Sequence, residues 1–370
     1  MIRILCAVAP ALMRCKCAVA PALVVLLCTA QTALAQPFLP PAPSASPGVA
    51  SISDALPAAP PRNLPPITGD HCNPDYWIVS SRDCPQKNDG CCPQCEFDVT
   101  HVTANGCRIG SEVETLTRSL KPGVPVCILV HGSYVSLSDL RTDGLETYRW
   151  IRAAAPHLPL HVIFYTWPSE GRKFPFPTPK IVTMTPHLDV AVLGNRAGYN
   201  GFYLSQLLDR IPAEHPLSLV GHSHGARIIS TAMHLRAGGC EQELSLGGPL
   251  PRPLRRVRLV YIAAGIDHHW LNPNERYGRT LCRSECLVNV RNRRDPVLAL
   301  YPLRRPFGHR ALGRAGFTKR DYRELGALAG KTIELDATKL LGFHHFAGSF
   351  YSKPSLATAI APYLYYSNSQ

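Results

Sequence analysis

From residue 124 onward, short unbroken apolar runs alternate with longer stretches in which apolar residues recur every three or four positions. The runs predict strands at 126–130, 160–165, 217–220, 257–263, 286–290 and 331–335. The periodic stretches predict helices at 140–155, ending near Pro156, at 199–211 and at 226–236. In the second of these, Phe202, Leu204, Leu207, Leu208 and Ile211 fall at helical intervals. Strands that are apolar throughout, rather than alternating, are buried on both faces. The expectation is therefore an α/β fold, a mostly parallel sheet covered on both sides by helices. Ligands of such sheets bind beyond the carboxyl ends of the strands, so the polar residues just after each strand are the candidates for chemistry.

Before residue 124 the pattern changes character. Residues 36–66 are rich in Pro, Ala and Ser with almost no charge, which predicts a semi-extended linker without a core. Residues 67–123 hold six cysteines between Cys72 and Cys107, including Cys91-Cys92-Pro93-Gln94-Cys95, and predict a disulfide-stapled N-terminal extension. The Cys92–Cys95 spacing also suits zinc, but no second such pair follows at a zinc-ribbon distance. Residues 1–35 fit an export signal. Arg14 and Lys16 precede the uncharged apolar stretch 18–30, and Ala33-Leu34-Ala35 offers small residues at a cleavage site. An uncleaved anchor is the alternative. The expected location is thus exported, periplasmic or extracellular, which also suits an even number of cysteines past the signal. Removing Arg3, Arg14 and Lys16 with the signal takes the net charge from +13 to +10. A basic exported protein is drawn to anionic surfaces, so a cell-envelope surface is an expected partner. Arg252, Arg255, Arg256 and Arg258 lack the aromatic platform of a nucleic-acid site, and nucleic acid is not expected.

The strand at 217–220 runs into Gly221-His222-Ser223-His224-Gly225, a G-x-S-x-G pattern with an apolar strand before it and a helix-like stretch after it. That context predicts a sharp turn presenting Ser223 as a nucleophile, with the His224 N–H facing a developing oxyanion. The strand at 126–130 runs into His131-Gly132-Ser133-Tyr134, where Gly132 and the N–H of Ser133, or of Tyr134, could supply the second donor. For the acid, Asp295, past the 286–290 strand, is preferred over Asp267, past the 257–263 strand, which is expected to cap a helix or line the site. An ion pair with Arg293 or Arg294 is the rival role for Asp295. The base comes last in the chain. His344 and His345 lie beyond the 331–335 strand, one expected to be catalytic and the other structural, with His344 favoured and His309 the poorer choice.

Together, Val130-His131-Gly132, Phe164-Tyr165-Thr166-Trp167-Pro168-Ser169, the 221–225 turn, Asp295 and His344-His345 resemble an uncharacterised bacterial family of α/β-hydrolases related to esterases and lipases. The resemblance spans about 124–366 and leaves out the linker and the cysteine-rich segment. It implies a Ser-His-Asp triad and ester-bond hydrolysis and little about the substrate; the expectation is an α/β-hydrolase domain over 124–370 acting on a small-molecule or lipid ester, with no metal or organic cofactor required. The alternative is a catalytically inactive hydrolase-fold module that binds the cell envelope, since a fold alone does not prove activity.

Overall fold

The computed structural model describes residues 50–52, 75–87, 93–171, 186–247 and 255–366. The signal and nearly all of the linker, together with Cys72, Cys91 and Cys92, lie outside the described residues. No described helix is long and apolar enough to cross a membrane.

Ten strands form one sheet: β1 (Ala50–Ser51), β2 (Tyr76–Ser80), β3 (Asp98–Val102), β4 (Arg108–Ser111), β5 (Val126–Val130), β6 (His161–Thr166), β7 (Leu217–His222), β8 (Val257–Ile262), β9 (Cys286–Arg291) and β10 (Thr332–Asp336). Their spatial order is β1-β10-β9-β8-β7-β5-β6-β2-β3-β4. Every neighbouring pair is parallel except those made by β3, so β3 alone runs against the other nine. The longer helices are α1 (Val113–Ser119), α2 (Leu137–Ala154), α3 (Pro186–Arg210), α4 (His224–Arg236) and α5 (Pro354–Tyr365).

The two-residue period of a strand explains how one apolar run feeds two cores. In β5, Val126, Ile128 and Val130 pack with Leu204 and Leu207 of α3 and Ile228 and Ile229 of α4. Cys127 and Leu129 point the other way, to Leu140 and Ile151 of α2 and Leu356 and Ile360 of α5. Burial on both faces is why the strand lacks an alternating pattern. This is the α/β-hydrolase fold, with β7 near the middle of the sheet.

The strand expectations fall within a residue or two of those found. All three expected helices start earlier than expected, at Leu137, Pro186 and His224. At α2 the cause is a capping box: Ser136 accepts from the Asp139 N–H at 3.1 Å, and the Asp139 carboxylate accepts from the Ser136 N–H at 2.9 Å. β1, which lies inside the expected linker, pairs with β10 and leads into the buried Ile52, was not anticipated, and neither were β2, β3 and β4. The last three extend the sheet through a β2/β6 pairing, and Trp77, Val79 and Val99 join the core beneath α3. A disulfide links Cys84 to Cys95 with a Cα separation of 5.1 Å, which takes Cys95 out of the zinc spacing.

Candidate active site

β7 ends at His222 and α4 begins at His224, so the chain turns on the single residue Ser223. Ser223 has φ 51° and ψ −116°, a left-handed backbone that a residue with a Cβ adopts only under constraint. The Ser223 N–H donates to the Ile262 carbonyl at 2.9 Å, and the Gly265 N–H donates to the Ser223 carbonyl at 3.0 Å, so β8 and the loop after it brace the turn. The flanking glycines are dictated by space. A Cβ on Gly225 would stand 2.1 Å from the Val130 carbonyl oxygen, and one on Gly221 would stand 2.6 Å from the Ala226 nitrogen. Gly132 lets the loop after β5 press on the same turn, since its Cβ would lie 2.9 Å from the Ser223 Cβ.

His345 comes to Ser223 from a loop beyond β10. Asn292, just past β9, donates its side-chain N–H groups to the carbonyls of Gly342 at 2.8 Å and His344 at 2.9 Å. His222 Nε2 donates to the His345 carbonyl at 2.8 Å. These bonds fix the backbone on both sides of the His345 side chain. Its Nε2 is 3.3 Å from Ser223 Oγ, and its Nδ1 is 2.6 Å from Asp295 Oδ2. A carboxylate can only accept, so Nδ1 carries the proton and Nε2 is left bare toward the serine. Asp295 is fully buried and caps the short helix Pro296–Ala299, its Oδ1 accepting from the Leu298 N–H at 2.8 Å. Ser223 and His345 keep a few percent of their surface open.

Of the expected residues, the structure thus brings Ser223, Asp295 and His345 together. His344, preferred on position alone, is exposed and enters only through its carbonyl. Among the described residues Asp295 forms an ion pair with neither Arg293 nor Arg294; Arg293 pairs with Asp336 at 3.3 Å, and Arg294 lies over the Phe343 ring. Asp267 points elsewhere, into a buried cluster with Tyr301 at 3.0 Å, Arg305 at 2.7 Å and Arg304.

Two N–H groups remain for an oxyanion. His224 is the first residue of α4, where an N–H has no intrahelical acceptor. The Ser133 N–H takes part in no hydrogen bond among the described residues, whereas that of Tyr134 is used by the Ser169 carbonyl at 2.8 Å. The side chains of Ser133 and His224 share a hydrogen bond of 2.7 Å, which ties the β5 loop to the first turn of α4.

The Trp167-Pro168-Ser169 turn shapes that loop. Trp167 Nε1 donates to the His131 carbonyl at 3.0 Å, and Ser169 Oγ donates to the Val135 carbonyl at 2.8 Å. His131 stacks on Trp167, donates from Nδ1 to the Gly132 carbonyl at 2.8 Å and accepts the Thr166 hydroxyl at Nε2, also at 2.8 Å. Its role is architectural. Burial pushes His131, His222 and His224 down to about 3, so all three stay neutral around Ser223. Asn292 and His222 were missed as positioning groups, since their partners are carbonyls distant in the chain.

No protein-family model matches this chain, and no curated protein matches it. Among solved structures, it is similar to EstE1, a thermophilic carboxylesterase cloned from a metagenomic library (TM-score 0.34, 13% identity, 82% of this chain and 91% of that one). It is also similar to a Pyrobaculum calidifontis esterase (0.37, 12%, 80% and 88%) and to Zea mays acyl-protein thioesterase 2 (0.32, 13%, 65% and 97%). At this distance the likenesses say nothing of the reaction.

Proposed function

We propose that the chain is an exported serine hydrolase that cleaves carboxylic esters through an acyl-Ser223 intermediate. The observation that carries the reading is the continuous line Ser223–His345–Asp295, at 3.3 Å and 2.6 Å, at the carboxyl end of the central strand. His345 Nε2 takes the Ser223 proton as Oγ attacks the ester carbonyl, and Asp295 stabilises the resulting imidazolium. The tetrahedral oxyanion accepts the N–H groups of Ser133 and His224. Collapse expels the alcohol, which receives the proton from His345. Water, deprotonated by the same nitrogen, then releases the acid and restores Ser223. Atoms and protons balance with three side chains and water. Export is supported by the signal-like residues 1–35 and by the Cys84–Cys95 disulfide, a bond that persists in oxidising compartments.

The test is labelling with a fluorophosphonate probe, which reacts with activated serines. Wild type is expected to label, Ser223→Ala and His345→Ala to lose labelling, and His344→Ala to keep it. Folded wild type that does not label would remove the serine-hydrolase reading and leave the envelope-binding module in its place.

A further inference from the structure

Outside the Ser223 site, three histidines meet that the proposed ester chemistry does not use. His268 and His269 follow Asp267 in the loop after β8, and His309 stands in the 305–311 loop. The two loops are joined by a bridge between Asp267 and Ala311 and by the His268 N–H donating to the Arg310 carbonyl at 3.1 Å. One nitrogen from each ring lies within 4.8 Å of the other two, and the His269 and His309 ring centroids are 4.2 Å apart.

We propose that His268, His269 and His309 form a site for one divalent transition-metal cation, of which Zn²⁺ is the representative. Imidazole nitrogen is the donor that zinc, copper and nickel share, and three histidines leave one position of a tetrahedron for water. The surroundings are those of a built site. His268 Nδ1 donates to Asp321 Oδ2 at 2.7 Å, which fixes the ring and leaves Nε2 as the ligand atom. Asp321 is itself held by the Asn272 side chain at 3.0 Å and by the Thr318 N–H at 2.6 Å, so the carboxylate behind the ligand is rigid. A carboxylate behind a ligating histidine raises its basicity and orients it. His269 Nδ1 is buried with no hydrogen-bond partner, a cost that a bound cation would remove.

Charge also permits a dication. Asp321, Asp267 and Glu275, the last 3.7 Å from His269 Nε2, supply three negative charges against the two of the nearby Arg304 and Arg305, both of which pair with Asp267. Tetrahedral Zn–N bonds of about 2.0–2.1 Å put nitrogens roughly 3.3 Å apart. Since the nitrogens lie within 4.8 Å of one another, closure asks for a shift of at most about 1.5 Å, which the exposed His309 can supply. Binding would clamp the 305–311 loop to the turn after β8 and stabilise the folded state by mass action.

The experiment uses the full chain without a polyhistidine tag, stripped with chelator and titrated with Zn²⁺ by calorimetry, with the unfolding midpoint followed in parallel. The expected result is one Zn²⁺ per chain and a higher midpoint that EDTA reverses. His309→Ala, an exposed change that should not disturb folding, is expected to weaken binding at least tenfold and to abolish the midpoint shift. Ser223→Ala is expected to bind as wild type, so the metal site stands or falls apart from the hydrolase reading. No binding by folded wild type, or stoichiometric binding of equal strength in His309→Ala, would overturn the proposal.

Discussion

Asp295→Asn isolates what the buried carboxylate does, because the structure dictates how the new amide would sit. In the wild type Oδ1 accepts the Leu298 N–H at 2.8 Å, and Oδ2 accepts the His345 Nδ1–H at 2.6 Å. An asparagine has one acceptor and one donor end. The Leu298 N–H is a fixed donor at a helix start, so the amide oxygen must stay there and the NH₂ must face His345. Two donors cannot share that contact, so the imidazole is driven to carry its proton on Nε2. Nε2–H would then point at Ser223 Oγ, 3.3 Å away, with no lone pair to take the serine proton. A wrong tautomer of this kind costs about 10⁴ in kcat, or about 5 kcal/mol of transition-state stabilisation. The fold should survive, since the helix cap is kept and the volume is unchanged. The assay is steady-state hydrolysis of p-nitrophenyl acetate, with ¹⁵N spectra of the labelled imidazole to read the tautomer. A folded variant whose kcat stays within tenfold of wild type, or whose Nε2 remains unprotonated at neutral pH, would refute the reasoning.

Three other outcomes follow from the same geometry. Stability should fall in mild acid. His131, His222 and His224 hold folded values of about 3 through burial, against about 6.5 in the unfolded chain, so only the unfolded state binds protons as pH drops below 6.5. Each then costs about 1.4 kcal/mol by pH 5.5, roughly 4 kcal/mol for the three; equal urea midpoints at pH 7.5 and 5.5 would contradict this. Gly225→Ala sets a methyl 2.1 Å from the Val130 carbonyl oxygen and is expected to destabilise by about 3 kcal/mol or more, read from the urea midpoint. Asn292→Ala removes the two bonds that hold the Gly342 and His344 carbonyls and should lower kcat by about 10–100-fold with KM nearly unchanged; an unchanged kcat would deny Asn292 its positioning role.

Much of this was legible because it is set locally. A strand buried on both faces is apolar along most of its length, so β5 to β10 could be read from runs of four to seven residues. The turn at Ser223 was legible for a steric reason: only glycine fits where a Cβ would strike Val130 or Ala226, and two such positions bracket the serine. β2 to β4 were hidden for the opposite reason. Tyr76–Ser80 is apolar enough to be a strand, but it sits alone among cysteines and turn residues, and β4 at the sheet edge is mostly exposed and polar.

The base was not legible, and the cause is physical. His344 and His345 are consecutive, both belong to a loop, and their own sequence contains nothing that turns one of them inward. Their fates are decided by groups far away in the chain. Asn292, about 50 residues earlier, seizes the carbonyls of Gly342 and His344, and His222, more than 120 residues earlier, seizes that of His345. With the backbone pinned on both sides, a single side chain is left facing the gap between Asp295 and Ser223, and it is that of His345. The same rule governs His309, which sequence position alone made a weak candidate for the base. Its company, His268 and His269, is chosen by the bridge from Asp267 to Ala311, a pairing no local pattern encodes. Local sterics therefore place the nucleophile, while tertiary hydrogen bonds choose among histidines. Variants that break those bonds without touching an imidazole, Asn292→Ala first, are the ones that separate positioning from chemistry.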